Sequence, residues 1–486
     1  MRSFFWAITI FSVAMRLTLV LFTDLGVDEA YYWTYLHPVS ISYFDHPLMV
    51  AIWQWISSTI FQCETEWVLR WTFFMTGTVN VLLCYQVSSR ITDPNSARWI
   101  TIAYQASPYF SLLTGAMVLP DGPLIFFIWI FLYAFVLIYQ TDQLKNSFFL
   151  IGLSLGLGFL SKYQMVFFTL GFFVYSLIYK RIWWTQCTFY LNALIIVASL
   201  VPVIIWNLDH EFVQWSFHSR RVNPVGHPLS MEFFGRELAG EVFYQNPILY
   251  GLILYAVLFH GAKSVVRRPL KIALLLFSIP LYITGLGFSL FNPTLPHWTG
   301  PAFIPLLLIG IPAVFKPHEK VAIGLITTSW ILFISFFCLA ITELNLGLFS
   351  NRLALKNPKY LGKGDITQDM FGWEQLHAKS KDFMKDALLI CSSKWWSAQY
   401  DYYLSRQENI PFAALGSLSD VHQYGIPPPP ALTLPGTKLV YITSSNHYVP
   451  YSQYANLESL HCADTLIIPI IRSKDTVRQH YLYIFQ

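Results

Sequence analysis

Charged residues are scarce in this 486-residue chain. Asp, Glu, Lys and Arg make up 12% of it, against about 25% in soluble globular domains. Hydrophobic residues make up 55%, and the mean hydropathy is +0.47. Both values exclude a water-soluble globule and predict a membrane protein. Because the hydrophobic runs are unbroken and do not alternate with polar residues, an outer-membrane barrel is excluded as well.

The sequence also has no cluster of basic residues and no paired-cysteine motif. Its net charge is +4 with the basic residues dispersed, so no nucleic-acid partner is predicted. The six cysteines show no CxxC or Cys/His ligand spacing, which gives no indication of a zinc module or a disulfide framework. Cys391 and Cys462 each adjoin a predicted strand, and a disulfide between them is left open as an expectation.

About eleven segments are apolar enough to cross a membrane as helices, each of which needs about 20 residues. The predicted spans are residues 4–23, 68–87, 98–117, 122–140, 147–161, 164–179, 189–206, 246–262, 270–290, 300–315 and 321–342. Lys and Arg are concentrated in every second loop, which assigns those loops and the N-terminus to the cytoplasm. The other loops hold most of the carboxylates, so the chemistry is predicted on the outer face.

The predicted organisation has two domains. Residues 1–342 form a transmembrane domain with two long outer loops, 24–67 and 207–245. Residues 343–486 are more polar and form a small extracytoplasmic α/β domain, with a stiff loop at Pro427–Pro430. Within it, strands are predicted at 387–391, 438–443 and 465–471, and a helix at 395–404. The predicted fold class is an all-α polytopic membrane protein with this α/β domain at its C-terminus.

Two carboxylates, Asp28 and Glu29, directly follow the first predicted span and precede the aromatic run Tyr31–Trp33. Ionisable groups among aromatic residues at a membrane surface are costly, which makes them functional candidates. A carboxylate at this position can accept the proton of an attacking hydroxyl. The alternative interpretation is that both residues only cap an interfacial helix.

Further motifs follow in order along the chain. They are Tyr43–Pro47 (YFDHP), Leu119–Leu124 (LPDGPL), Gly156–Tyr163 (GLGFLSKY), Trp206–His210 (WNLDH), Leu295–Trp298 (LPHW) and Gly372–Trp373. In this order, and on one predicted side of the membrane, the motifs resemble the GT-C glycosyltransferases of the protein O-mannosyltransferase and aminoarabinose lipid A transferase type. The resemblance implies a membrane glycosyltransferase that uses a sugar carried on polyprenyl phosphate.

The resemblance also implies roles for individual residues. Asp28, Glu29 and Asp121 are the expected catalytic carboxylates, with Asp28 as the base or acceptor-orienting group. The expected substrate-binding residues are Tyr43, Asp45, His46, Lys162, Asn207, His210, Arg220, Arg221 and His297. Among them, Lys162, Arg220 and Arg221 are nominated by charge, because cations on the outer side would stabilise the negative charge on the departing phosphate. The alternative interpretations are a snorkelling lysine at 162 and arginines that bind lipid headgroups. No metal ligand is assigned and no cofactor is committed to, although a divalent cation is left open.

The expected partners are the polyprenyl-phosphate sugar donor, an acceptor that is a lipid, glycan or protein, and the surrounding membrane lipids. The expected location is a bacterial inner membrane, with the active site and the C-terminal domain on the periplasmic side. The main alternative function is a transporter or lipid flippase, which predicts charges near the bilayer midplane and symmetric halves. A receptor-like binding protein is a third interpretation, and it leaves the carboxylates of the first loop without a purpose.

Overall fold

The computed structural model describes residues 1–141, 144–261, 265–315, 318–353, 360–426 and 438–485. The chain divides into two compact units. Met1–Leu21 and Ser40–Ile334 form the helical unit, and Phe22–Val39 and Ser335–Gln486 form the α/β unit. The predicted boundary after residue 342 and the observed one after Ile334 both fall within the helix Glu319–Leu346, and the predicted domain bounds stay a prediction.

The helical unit is built from apolar helices joined by short connections. Their bounds, including the two helices that run past the edge of the unit, are Arg2–Phe22, Met49–Phe61, Glu66–Ile91, Pro94–Gln105, Asp121–Thr141, Leu144–Phe159, Met165–Tyr179, Cys187–Asp209, Val213–Val222, Met231–Tyr244, Pro247–Tyr255, Arg268–Ser289, Phe303–Phe315 and Glu319–Leu346. Helices satisfy their backbone hydrogen bonds internally, which a lipid environment requires. The long outer loop predicted at 207–245 is therefore mostly helical, and Met49–Phe61 is the short helix expected in the first loop.

Seven of the described helices are long and apolar enough to cross a membrane, or eight if one bent pair counts as a span. The pair is Met231–Tyr244 with Pro247–His260, which meet at 99°. Leu194 and Val197 lie within one of the seven helices and are 61% and 57% exposed, as expected of side chains that face lipid. The chain is a multi-pass membrane protein, and the predicted count of eleven spans is not confirmed.

The predicted span at 98–117 is broken, and the break shapes the candidate site. The helix Pro94–Gln105 ends before Pro108, whose ring and missing N–H are incompatible with a continuous α-helix. The wider turn Tyr109–Leu113 follows. Such π-helical turns occur mostly as single insertions near functional sites. This turn carries Tyr109 into the interior of the unit, where it is fully buried.

The α/β unit contains a five-stranded sheet. Its strands are β1 Leu389–Ser393, β2 Phe412–Leu415, β3 Leu439–Ser444, β4 Cys462–Arg472 and β5 Asp475–Phe485, in the order β2-β1-β3-β5-β4. β2, β1 and β3 are parallel, while β5 is antiparallel to β3 and β4. The helices of this unit that frame the sheet or carry predicted residues are Val27–Trp33, Trp373–Met384, Leu418–Val421 and Ala455–Glu458.

The structure corrects one expectation for this unit and extends others. Cys391 and Cys462 are free thiols. Strands β3 and β5 separate β1 from β4, and neighbouring strands lie about 4.8 Å apart. The two cysteines are therefore about three strand spacings apart, which is too far for a disulfide. Strands β2 and β5 were not predicted. The segment predicted as a helix at 395–404 is helical but alternates between 3-10, α and π turns. Pro427–Pro430 lies outside the described residues.

Candidate functional site

The helical unit buries an ion pair between Asp121 and Lys162. The Lys162 Nζ atom lies 2.7 Å from Asp121 Oδ2, and the two side chains are 3% and 2% exposed for Lys162 and Asp121. The hydroxyl of Tyr109 donates a hydrogen bond of 2.7 Å to the other carboxylate oxygen. These charge-assisted contacts hold the ammonium in one position. Because removing two charges from water is costly, a pair buried this deeply indicates a functional requirement.

Local sequence explains how both charged residues reach this position. Asp121 is the first residue of its helix, where the helix dipole favours a negative charge. Gly122 packs so tightly that a Cβ atom would lie 2.7 Å from the Phe73 ring. Lys162 lies in the turn after the next helix, and its backbone N–H donates to the Gly158 carbonyl at 3.0 Å. A larger residue than glycine at 122 would push the helix that begins with Asp121 away from its neighbour.

Further cationic and imidazole side chains surround the Lys162 ammonium. Those within electrostatic range of His46 are Lys162, His218, Arg221 and His297. Burial, and then these neighbours with Lys162 foremost, hold the pKa of His46 well below its usual range. The His46 imidazole is therefore neutral at pH 7. His297 also lies within electrostatic range of Asp121. The cluster combines one carboxylate with two permanent cations and several imidazoles, which suits an anionic ligand.

Arg221 is held between two aromatic rings. Its guanidinium carbon lies 5.4 Å from the centroid of the Phe217 ring and 5.1 Å from that of Trp298. These cation–π contacts orient a planar group that can bind a phosphate through two parallel hydrogen bonds. The neighbouring Arg220 is exposed, and no contact among the described residues joins it to the cluster. The structure thus separates two arginines that the sequence analysis treated alike.

Three of the predicted residues, Tyr43, Asp45 and Asn207, take part in the hydrogen bonds that hold the segment carrying His46. The His218 Nε2 atom lies 2.7 Å from the backbone carbonyl of Asp45. The Gln214 amide donates to the carbonyl of Tyr43 at 2.7 Å, and the Asn207 amide donates to Gln214 Oε1 at 2.7 Å. These bonds tie the segment to the helix Val213–Val222. Asn207 therefore acts in this network through Gln214, while Tyr43 and Asp45 contribute backbone carbonyls.

His210 packs against Trp206 at the end of its helix. Their rings are parallel within 12°, with centroids 4.1 Å apart, and the His210 Nδ1 atom lies 2.7 Å from the Trp206 carbonyl. Side-chain contacts with the last carbonyls of a helix are a common way to end it. These contacts give His210 a structural role in the described geometry.

The first-loop carboxylates belong to the α/β unit. Both lie in the first turn of the helix Val27–Trp33, where Asp28 is exposed and Glu29 is fully buried. The Glu29 Oε2 atom accepts a hydrogen bond of 3.0 Å from the Gly26 N–H. Glu29 therefore caps its own helix, as the alternative interpretation of the sequence anticipated for this residue.

Four residues near the ion pair and His46 were not predicted: Tyr109, Tyr163, Gln214 and His218. The rings of Tyr163 and His218 are perpendicular with centroids 5.5 Å apart. A signal for two of the four was present, because Gln214, His218 and Arg221 follow at intervals of four and three residues and so share one helix face. No comparable sequence pattern indicates Tyr109.

The described part of the chain contains no group of three or more His, Cys, Asp or Glu side chains that could hold a metal ion. His46 and His218 approach one another with ring centroids 6.2 Å apart, and His210 is engaged with Trp206.

Comparison with known proteins places this geometry in context. The family model for dolichyl-phosphate-mannose-protein mannosyltransferases matches residues 45–206, a segment that includes His46, Asp121 and Lys162. The lipid A galacturonosyltransferase RgtD of Rhizobium johnstonii is 24% identical over 242 residues, which are 48% of this chain and 49% of that protein. The chain thus spans about half the length of this curated relative in the match.

Similarity to a solved structure extends over nearly the whole chain. ArnT from Cupriavidus metallidurans, crystallised with undecaprenyl phosphate, aligns with 99% of this chain and 97% of its own, with a TM-score of 0.64 and 14% identity. Its apo structure gives the same values. At this low identity the match demonstrates a common fold. The resemblance and the fold class predicted from the sequence are both confirmed, apart from the number of spans.

Proposed function

We propose that the protein is an integral membrane glycosyltransferase that moves a sugar from a polyprenyl-phosphate donor to an extracytoplasmic acceptor. The acceptor class comprises lipid A, another lipid, a glycan or a protein. The observation that carries the proposal is the buried Asp121–Lys162 pair, with His46 and Arg221 beside it, inside a bundle of apolar helices. Such a bundle suits an isoprenoid chain that stays in the bilayer, and the cations suit its phosphate.

The donor phosphate is assigned to Lys162 and Arg221. Lys162 supplies a point charge fixed by Asp121, while Arg221 supplies a planar guanidinium oriented by two rings. The neutral His46 can donate or accept a hydrogen bond without adding charge. His297 is assigned to the donor-phosphate site as well, because it lies within electrostatic range of His46, as Lys162 and Arg221 do. Support comes from the ArnT structure, whose fold this chain shares and which was solved with undecaprenyl phosphate bound.

The reaction joins the acceptor oxygen to the anomeric carbon of the sugar. The bond between that carbon and the phosphate oxygen breaks, and the electron pair leaves with the phosphate. Lys162 and Arg221 stabilise the charge that develops there. The base that takes the proton of the acceptor hydroxyl is proposed to be a carboxylate, and the resemblance nominates Asp28, the exposed residue of its pair. Glu29 and Asp121 act by positioning, since the first caps its helix and the second holds Lys162.

The proposed location is a bacterial inner membrane with the site on the periplasmic side. The distribution of Lys and Arg between alternate loops supports this orientation. Because Lys162 and Arg221 are proposed to offset the charge of the phosphate, we also propose that transfer needs no divalent ion. Full turnover after treatment with EDTA would support that assignment, whereas loss of turnover that Mg²⁺ or Mn²⁺ restores would overturn it.

Donor cleavage is the decisive test of the function. The purified protein in nanodiscs is incubated with a panel of polyprenyl phosphates carrying different sugars, and release of polyprenyl phosphate is followed with and without candidate acceptors. Lys162→Met and Arg221→Gln should each reduce turnover, because each removes charge from the leaving phosphate. Arg236→Gln, at an exposed arginine of another helix, is the matched control. Lipid movement across the membrane without cleavage of any donor would favour the flippase.

A further inference from the structure

The α/β unit contains a cavity of about 350 Å³, within the range of roughly 300 to 1,000 Å³ typical of small-molecule sites. It lies at the carboxyl ends of strands β1 and β3, where Ser392 and Ser393 of β1 and Thr443 and Ser444 of β3 line it. The other wall comes from the loop that contains Gly362.

The sheet topology explains why a cavity forms at this edge. β1 lies between β2 and β3, so the chain leaves β1 toward one side for β2 and later returns on the other side for β3. The connections of two parallel neighbours then diverge above their carboxyl ends and leave a crevice, the usual ligand position in open α/β sheets. Gly362 is required in the loop that closes it, since its φ of +79° is left-handed and a Cβ atom would lie 2.3 Å from Gln368.

Four Trp and Tyr side chains line the cavity. Trp395 and Trp396 follow β1 directly and are only partly buried, and Trp373 and Tyr400 contribute further rings. The Trp396 ring is held by the Lys394 ammonium, 4.9 Å from its centroid, and by the ring of His447, another residue of the lining, at 5.5 Å. Aromatic faces are electron-rich and attract weakly positive C–H groups. Aromatic rings in a cavity therefore favour a ligand that presents several C–H groups on one flat face.

Two polar atoms of the lining are buried and have no hydrogen-bond partner among the described residues. They are Asn446 Oδ1, an acceptor, and Arg478 Nε, a donor. The other nitrogens of Arg478 donate to the carbonyls of Gln368 and Phe371 at 2.8 and 2.6 Å, which fixes the guanidinium. Buried polar groups rarely stay unpaired in folded proteins. Because Arg478 is held in place with its Nε atom closed off, the amide of the partly buried Asn446 is the group that can turn toward a ligand carrying hydroxyl groups.

The charge of the lining excludes a strongly anionic ligand. Asp365 and Asp369 both line the cavity beside Arg478. Asp365 is paired with Arg472 at 2.7 Å, and burial followed by the nearby Glu29 carboxylate raises the pKa of Asp369 to about 6. The carboxylates thus offset the single arginine of the lining. This balance contrasts with the cationic cluster of the helical unit.

From these observations we propose that the cavity at the carboxyl ends of β1 and β3 binds one uncharged pyranose unit of a glycan. The C–H face of the sugar packs on Trp396, and one of its hydroxyls bonds to the Asn446 side chain. The site lies within the α/β unit, and its ligand is recognised by ring and hydroxyls alone. It gives the α/β unit a recognition function of its own.

Saturation-transfer NMR on the full-length protein in nanodiscs tests the proposal directly. The probes are the methyl α-glycosides of glucose, galactose and mannose, with methyl α-galacturonoside as the anionic comparison and a Ser/Thr tetrapeptide as the peptide comparison. At least one neutral glycoside should bind, with the strongest transfer to ring C–H protons on one face. Asn446→Ala should weaken its affinity by about 3- to 10-fold, the usual effect of one neutral hydrogen bond. Trp396→Ala should weaken it more.

Phe349→Ala is the aromatic control, because that ring is 58% exposed and does not line the cavity. If Trp396→Ala does not fold, Asn446→Ala decides alone. The proposal is overturned if no neutral glycoside binds, if the galacturonoside or the peptide binds in its place, or if Asn446→Ala keeps wild-type affinity.

Discussion

Removing the charges of the Asp121–Lys162 pair one at a time and together should separate its stabilising role from its chemical role. Each single change leaves a charged partner in a place where both side chains are at most 3% exposed. Breaking a buried ion pair in this way typically costs about 3 to 5 kcal/mol. We therefore expect Asp121→Asn and Lys162→Met each to lower the free energy of unfolding by that amount.

The double variant Asp121→Asn/Lys162→Met should recover much of the lost stability. It contains no uncompensated charge, and the Tyr109 hydroxyl can still donate to the side-chain amide oxygen that replaces Asp121 Oδ1. Replacing a buried pair by neutral groups of similar volume is often close to neutral. The coupling energy between the two sites should therefore be about 2 kcal/mol or more in the stabilising direction. Transfer should stay at least about 100-fold reduced, since the cation at the phosphate is still absent.

Unfolding in mixed detergent micelles, followed by tryptophan fluorescence, gives the stability of all four proteins, and release of polyprenyl phosphate gives turnover. Additive losses of stability in the double variant would refute the interpretation of an isolated buried pair. Wild-type turnover in the double variant would refute the assignment of the donor phosphate to Lys162. The two readouts are independent, so each part of the reasoning can fail alone.

Four further predictions address other groups. His46 should show no NMR titration between pH 6.5 and 8, because its folded pKa is lowered; its contribution to stability should fall as the pH drops below about 6.5, where the unfolded state gains a proton. For Asp369 the pH dependence of stability has the opposite sign, because its pKa is raised from 3.8 to about 6. Its ionisation should reduce the free energy of unfolding by at most about 3 kcal/mol as the pH rises from 4 to 7. Asp369→Asn should therefore flatten the dependence of thermal unfolding on pH over that range. Asp28→Asn should lower kcat by about 100-fold or more with an unchanged donor Kd, whereas equal turnover would remove it as the base. In single-cysteine variants an impermeant reagent added from outside should label the exposed Cys63 but not the exposed Cys187; the reverse pattern would invert the proposed orientation.

Hydropathy and charge are local properties, so they identified the class of protein and much of its organisation. Long apolar runs predicted membrane helices, and the drop in hydropathy near residue 343 predicted the α/β region. The number of spans was not confirmed, because apolar length does not reveal a break: Pro108 ends one helix, and the turn that follows carries Tyr109 inward. Strands β2 and β5 were missed because their short or mixed patterns do not stand out without their neighbours.

Motifs indicated most of the candidate site, since charged residues in apolar surroundings are unusual enough to be recognised one by one. Asp121, Lys162, His46 and Arg221 were all predicted, but their roles were not distinguished from that of His210, whose ring stacks on Trp206. Arg220 and Arg221 differ because only Arg221 lies on the side of the helix that contacts Phe217 and Trp298. That choice is made by packing, which the sequence does not display.

The sequence by itself determined that this chain enters a membrane and that a few charged residues must be kept there for a purpose, because a charged residue inside an apolar segment is costly wherever its partners lie. The tertiary structure alone decided which of them meet. Lys162 reaches Asp121 across 41 positions, and the cavity of the α/β unit joins Trp396 to Asn446 and Arg478 from separate strands and loops. Contacts of this kind depend on chain topology, and no local pattern of residues encodes them.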